Sequence, residues 1–225
     1  LCKKACRKNK GTHKAINRFR DFFYKVSKNN AKTCYVLKCD IKKFFHSIDH
    51  DILLKILKEH ILDKDIIWLL EEIVYSFNST HLGVGLPLGN LTSQLLVNIY
   101  MNEFDQFAKH RLKARYYIRY ADDFVLLSEN KERLEEWIEP IRNFLSERLK
   151  LTVHKVKIKT IASGVDFLGW IDFSDHRILR TKTKNRMFKK IQENPIKEKF
   201  NSYLGLLKHG NTYRLQKEIE EIYKG

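Results

Sequence analysis

Chain breakers are scarce in this sequence. Its 225 residues hold three prolines and nine glycines, too few to build a linker, so no boundary between independent domains is expected from them. No apolar run approaches the roughly 18 residues of a membrane span, and no Arg/Ser-rich amphipathic leader is visible. Both absences argue against membrane insertion and for a cytoplasmic protein. The four cysteines, Cys2, Cys6, Cys34 and Cys39, form no CxxC pair and no zinc-ligand spacing, so reduced thiols are expected. No internal repeat is apparent.

Positive charge is what the chain has in excess. Lysine and arginine number 43 against 27 acidic residues, a balance of +16 spread along the full length. Such an excess points to a polyanionic partner, nucleic acid before an anionic membrane. A hydrophobic fraction of 43% makes the chain globular, with material for one large domain or two small ones.

Periodicity predicts a helix over 13–28, with Ala15, Ile16, Phe19, Phe22 and Phe23 on its apolar side. A buried strand, YVLKCDI, follows at 35–41, and a helix begins after the cap-rich SIDHD of 47–51. A helix over 65–77 leads into STHLGVGLPLGN (79–90), the most glycine-rich loop, and a long helix spans 92–112. Short strands at 116–121 and 124–128 flank Asp122-Asp123, and a charged amphipathic helix spans 131–149. Segments 151–161, 165–173 and 177–181 read as strands that continue the sheet, and from 183 the pattern is helical and strongly basic. The fold class is α+β, an antiparallel sheet with helices packed on one face.

Three carboxylates stand where the pattern gives them little reason to be. Asp40 lies inside an apolar strand, where its side chain loses hydration. Asp122 and Asp123 adjoin at a bend between apolar runs, where a turn is the plain explanation. Tight hairpins favour Asn-Gly or Asp-Gly, however, and no glycine is present. Two strands delivering carboxylates to one sheet edge would make a hard, oxygen-rich site suited to Mg2+. Paired ions in such a site clamp the attacking and leaving oxygens of phosphoryl transfer.

In order and spacing, these segments resemble a reverse transcriptase palm. YVLKCDIKKFF matches its first catalytic motif, and Tyr120-Ala121-Asp122-Asp123 matches the YxDD box. LPLGNLTSQ (86–94) matches the GxxxS loop–helix motif through Gly89 and Ser93, and GVDFLGW (164–170) resembles the primer-grip hairpin. The resemblance covers nearly the whole chain. It implies partial fingers over 1–34, a palm over 35–175 and a thumb-like helical region over 176–225. Most retroviral and group II intron enzymes carry Gln before the motif glycine and Pro after the serine, where this chain has Leu88 and Gln94. That form is similar to the reverse transcriptases of diversity-generating retroelements, which copy a template RNA with adenine-directed errors.

The resemblance also assigns roles. Asp40 and Asp122 would hold two Mg2+ ions, for which Mn2+ could substitute, with Asp123 and the Ile41 carbonyl assisting. Phe45 takes the place of the steric gate beneath the nucleotide sugar, or else packs the core. Arg7 takes the place of the fingers residue that contacts the triphosphate, through the fork that Arg offers to phosphate oxygens. Lys155 is the candidate general acid toward pyrophosphate, with Lys157 competing for the role. Leu88 and Gly89 would lie beside the incoming nucleotide, Ser93 and Gln94 beside the template, and Phe167, Leu168, Gly169 and Trp170 at the primer end. The implied partners are an RNA template, a DNA or RNA primer, deoxynucleoside triphosphates and a basic accessory protein. A group II intron-like or defence-associated enzyme, or a silent palm that binds RNA, are the alternatives.

Overall fold

The computed structural model describes residues 11–79 and 81–224. Cys2, Cys6 and Arg7 lie outside the described residues. Helix α1 (Thr12–Ser27) is followed by strand β1 (Tyr35–Ile41), a 3-10 turn (Phe44–Ser47), and helices α2 (His50–Lys58) and α3 (Lys64–Tyr75). After the glycine-rich loop come α4 (Leu91–Tyr100) and α5 (Asn102–Gln106), the latter running into a π-helical turn, Phe107–Arg111. The hairpin β2 (Tyr117–Tyr120) and β3 (Asp123–Ser128) precedes α6 (Lys131–Glu136), α7 (Ile138–Leu149) and β4 (Val153–Thr160). The chain ends in β5 (Val165–Phe167), β6 (Trp170–Asp172), β7 (Arg177–Leu179), α8 (Thr181–Glu193), α9 (Lys197–Leu207) and α10 (Tyr213–Lys224).

The main sheet is antiparallel in the order β2-β3-β1-β4. Helices α2 and α4 to α7 cover one of its faces, around Leu37, Cys39, Tyr100, Phe104, Tyr117 and Phe124. The opposite face is covered as well. There α1 lies on β2 and β3, and Phe19, Phe22 and Phe23 meet Val36, Ile118, Val125 and Leu127. This second core also takes in Phe167, Trp170, Met187, Leu207 and Ile219, so α1 and the C-terminal helices share one interior. Arg177 ties them together. It bonds Asp172 at 2.7 Å, the Ile16 carbonyl at 2.7 Å and the His209 carbonyl at 3.3 Å.

Three expectations from the sequence need correction. Of the strands after residue 151, β4 extends the main sheet as expected, but β5, β6 and β7 form a separate three-stranded sheet. A 3-10 turn (Ile161–Ser163) and Gly164, with φ of +80°, redirect the chain after β4. The segment 165–173 is a hairpin rather than one strand, because Leu168 and Gly169 both take positive φ and make its two-residue turn. The helix expected over 131–149 is two. Pro140 has no N–H to donate to the Glu136 carbonyl four residues back, and the helix breaks at Trp137.

Burial pushes the Cys34 and Cys39 thiols up to about 12, so both are packing groups. Among the described residues no helix is long and apolar enough to cross a membrane.

Candidate active site

Strand alternation sorts β1 into two sets of side chains. Leu37, Cys39 and Ile41 enter the first core, while Val36, Lys38 and Asp40 face the other way. Strand β3 does the same, with Phe124 and Leu126 inward and Asp123, Val125 and Leu127 opposite. The β1–β3 register sets Asp40 directly against Asp123. Carboxylates so placed have Cβ atoms about 5 Å apart and repel. Asp122 occupies the two-residue turn that joins Tyr120 to Asp123, next to Ala121. Ala121 has φ of +54°, a left-handed conformation that costs a residue with a Cβ roughly 1 kcal/mol. Arg119 Nη1 donates to the Ala121 carbonyl at 3.0 Å and holds the turn.

The electrostatics of the cluster are unbalanced. Burial pushes the Asp123 carboxyl up to about 6; Lys38 opposes the shift, and the charges of Asp122 and Asp40 add to it. Asp122 is raised as well, by burial first and also by Asp40. Lys38 Nζ stands 3.3 Å from Asp123 Oδ2, but Asp123 Oδ1 is buried without a hydrogen-bond partner. Among the described residues no three potential ligands gather around one point, so the cluster is open rather than a closed cage. The orphaned Asp123 oxygen is a hard donor of the kind that Mg2+ takes.

Cations line the neighbouring cleft, a space of about 400 Å³. Strand β4 lies on the far side of β1 and sets Lys155 against Asp40, Lys157 against Lys38 and Lys159 against Val36. Opposed residues share a face, so all three lysines enter the cleft with Asp40 and Asp123. Register places Lys155 two pairs nearer the carboxylates than Lys157. Arg180 closes the other wall and bonds Asp166 Oδ2 at 2.9 Å. A basic wall beside a carboxylate edge is suited to a polyphosphate held by its charge while reacting at a metal.

The remaining residues singled out from the sequence lie outside that lining. Ile41 is buried at the end of β1. Phe45 is half-buried, 5.5 Å edge-to-face from Phe44, and its carbonyl accepts from Leu86 N at 2.8 Å. Leu88 is 64% exposed, and Gly89 beside it has φ of +94°. Ser93 is buried and Gln94 half-buried. Of the four residues expected at a primer end, Phe167 and Trp170 are enclosed in the second core, and the turn Leu168-Gly169 is the part that reaches the surface.

Sequence reasoning passed over Lys38, Arg119 and Asp105. Arg119 is fully buried and forks onto Asp105, Nε to Oδ1 at 2.8 Å and Nη2 to Oδ2 at 2.9 Å, while the Tyr117 hydroxyl donates to the same carboxylate at 2.8 Å. The signal was there in RYADD, where a charged residue interrupts an apolar strand as Asp40 does.

A family model described as reverse transcriptase (RNA-dependent DNA polymerase) matches residues 4–172. Protein YkfC of Escherichia coli (strain K12) is 30% identical over 192 residues, covering 67% of this chain and 48% of that protein. The Retron Ec73 reverse transcriptase of Escherichia coli is 27% identical over 150 residues, covering 60% of this chain and 46% of that one. The chain thus spans about half the length of these curated relatives. Telomerase from Candida albicans, solved with a fragment of telomeric RNA, superposes with a TM-score of 0.59 over 88% of this chain and 42% of its own. At 14% identity that likeness is one of fold.

Proposed function

Since this chain belongs to the reverse transcriptase family, we propose that it extends a DNA or RNA primer on an RNA template with deoxynucleoside triphosphates, as the error-prone enzyme of a diversity-generating retroelement. The observation that carries the reading is the register of Asp40 against Asp123, with Asp122 in the adjoining turn, at the mouth of a basic cleft.

Asp40, Asp122, Asp123 and the Ile41 carbonyl would hold two Mg2+ ions, which when bound supply charge neutralisation at the attacking and leaving oxygens. Lys155 would give a proton to departing pyrophosphate, a role its position opposite Asp40 supports. Lys157, Lys159 and Arg180 hold phosphate oxygens by charge. Phe45 stands as the ring that excludes a 2′-hydroxyl, and the Leu168-Gly169 turn meets the primer end. The basic helix α8, with the helices after it, grips the duplex through its phosphates, and the +16 balance makes that grip steeply salt dependent. Leu88 and Gln94 favour the diversity-generating class. A bacterial reverse transcriptase of another class is the second reading, favoured by the 27% identity to the retron enzyme.

Primer extension on an RNA template tests the proposal. Asp40→Asn and Asp122→Asn should each lower the rate by at least about 10²–10³, the scale of losing one transition-state stabiliser. Extension at the wild-type rate in either variant would sink it.

A further inference from the structure

We infer that Arg119 is the positioning residue of the carboxylate turn, a buried strut that fixes Asp122 relative to helix α5; the inference rests on the polymerase reading above. Arg119 and Asp105 have side-chain exposures of 0% and 1%. Taking two charges out of water is costly, and a buried pair commonly stabilises a fold no better than apolar residues of the same volume. Stability is therefore a weak reason for this pair to be here, and its geometry offers a stronger one.

A guanidinium has five donors in a rigid plane. Nε and Nη2 are spent on the two Asp105 oxygens, and Tyr117 fixes Asp105 in turn. That orientation aims Nη1 at the Ala121 carbonyl, 3.0 Å away, with Asn98 Oδ1 at 3.4 Å as a further acceptor. Ala121 is the residue held at positive φ, and Asp122 is its neighbour. Without the bond to its carbonyl, the turn is free to relax toward an ordinary conformation and carry Asp122 with it. Asp40 and Asp123 sit in paired strands and would stay. A lysine could keep the charge beside Asp105, but it could not both fork onto that carboxylate and reach the turn. Arg119 touches no reacting atom; it acts through Asp122, where a misplacement of about 1 Å can cost as much as 10²-fold in rate.

The test separates positioning from folding. In the full chain, Arg119→Met with Asp105→Leu replaces the whole pair by apolar side chains, and Arg119→Lys keeps the charge but loses the fork. Both proteins are compared with wild type by thermal melting, by single-turnover extension of a primer on RNA, and by Mn2+ titration followed through water-proton relaxation. The expected result for the double variant is a melting temperature near wild type, an extension rate down about 10- to 100-fold, an unchanged KM for the nucleotide and Mn2+ affinity at least fivefold weaker. Arg119→Lys, the safeguard should the double variant not fold, should show the same split. A folded variant that extends and binds Mn2+ like wild type overturns the inference. If wild type itself extends no primer, the polymerase reading fails, and the Mn2+ titration still decides whether Arg119 positions the turn.

Discussion

Lys38 Nζ lies 3.3 Å from Asp123 Oδ2 and donates at 2.7 Å to the Asp166 carbonyl, so one ammonium joins the carboxylate cluster to the β5–β6 hairpin. It is a built-in counter-ion to Asp123, and a divalent cation entering the cluster would have to compete with it. Lys38→Met should therefore lower the melting temperature in EDTA, because the carboxylates lose a close cation. The same change should tighten Mn2+ binding several-fold, and added Mg2+ should restore the melt. Weaker Mn2+ binding in the variant would mean that Lys38 orients Asp123 rather than competing for it.

The raised Asp123 carboxyl predicts a pH effect of definite sign. Its value of about 6 lies above the ordinary 3.8, so between those values the folded protein binds more protons than the unfolded chain. Stability from this group is then greatest below about 4 and is lost as pH rises through about 6. With its side chain 21% exposed, the effect is on the order of 2 kcal/mol. In EDTA, the wild-type melting temperature should fall between pH 4.5 and 7 relative to Asp123→Asn, which lacks the titration. Parallel profiles would show that Asp123 is ionised without penalty.

Fidelity is where Leu88 should matter. It is 64% exposed and has no amide to leave unpaired against an ill-fitting base. A site built around such an amide can reject a wrong partner strongly, and an apolar surface cannot. Leu88→Gln should lower misincorporation several-fold, most of all opposite template adenine, at unchanged Mg2+ dependence. Single-nucleotide incorporation opposite each template base measures it. Equal fidelity opposite all four bases in wild type would remove the diversity-generating assignment.

Gly210 should tolerate no side chain. A Cβ there would run into the Trp170 ring and the Arg177 carbonyl, both fixed by the second core. Gly210→Ala should cost about 1–3 kcal/mol as overpacking does, and lower the melting temperature by several degrees. Residual activity should follow the folded fraction. An unshifted melt would show that the turn between α9 and α10 can move away from Trp170.

Much of this was legible in the sequence, and the reasons differ by residue. Asp40 stood out because a carboxylate in an apolar strand has an energetic cost that local structure does not offset. Apolar spacing marked α1 because its buried face, from Ala15 to Val26, is amphipathic along one helix. Pro140 announced the break at Trp137, yet the charged pattern around it was continuous and masked the signal. Arg119 and Asp105 could not be paired from the sequence: they come from a strand and a helix 14 residues apart, and their meeting depends on how α5 packs on the sheet. The second sheet was missed because alternation gives strands but not their partners.

In β1, seven residues carry two messages in alternating letters: Leu37, Cys39 and Ile41 spell the interior, Lys38 and Asp40 the cleft. Replacement at one set leaves the other intact, so the charge facing the cleft can change at position 38 without rebuilding the interior. A single inserted or deleted residue is another matter. It shifts the reading frame of the strand, turning Asp40 inward and a cysteine or leucine toward the cleft in one step. This strand should therefore diversify by exchange of residues and keep its length.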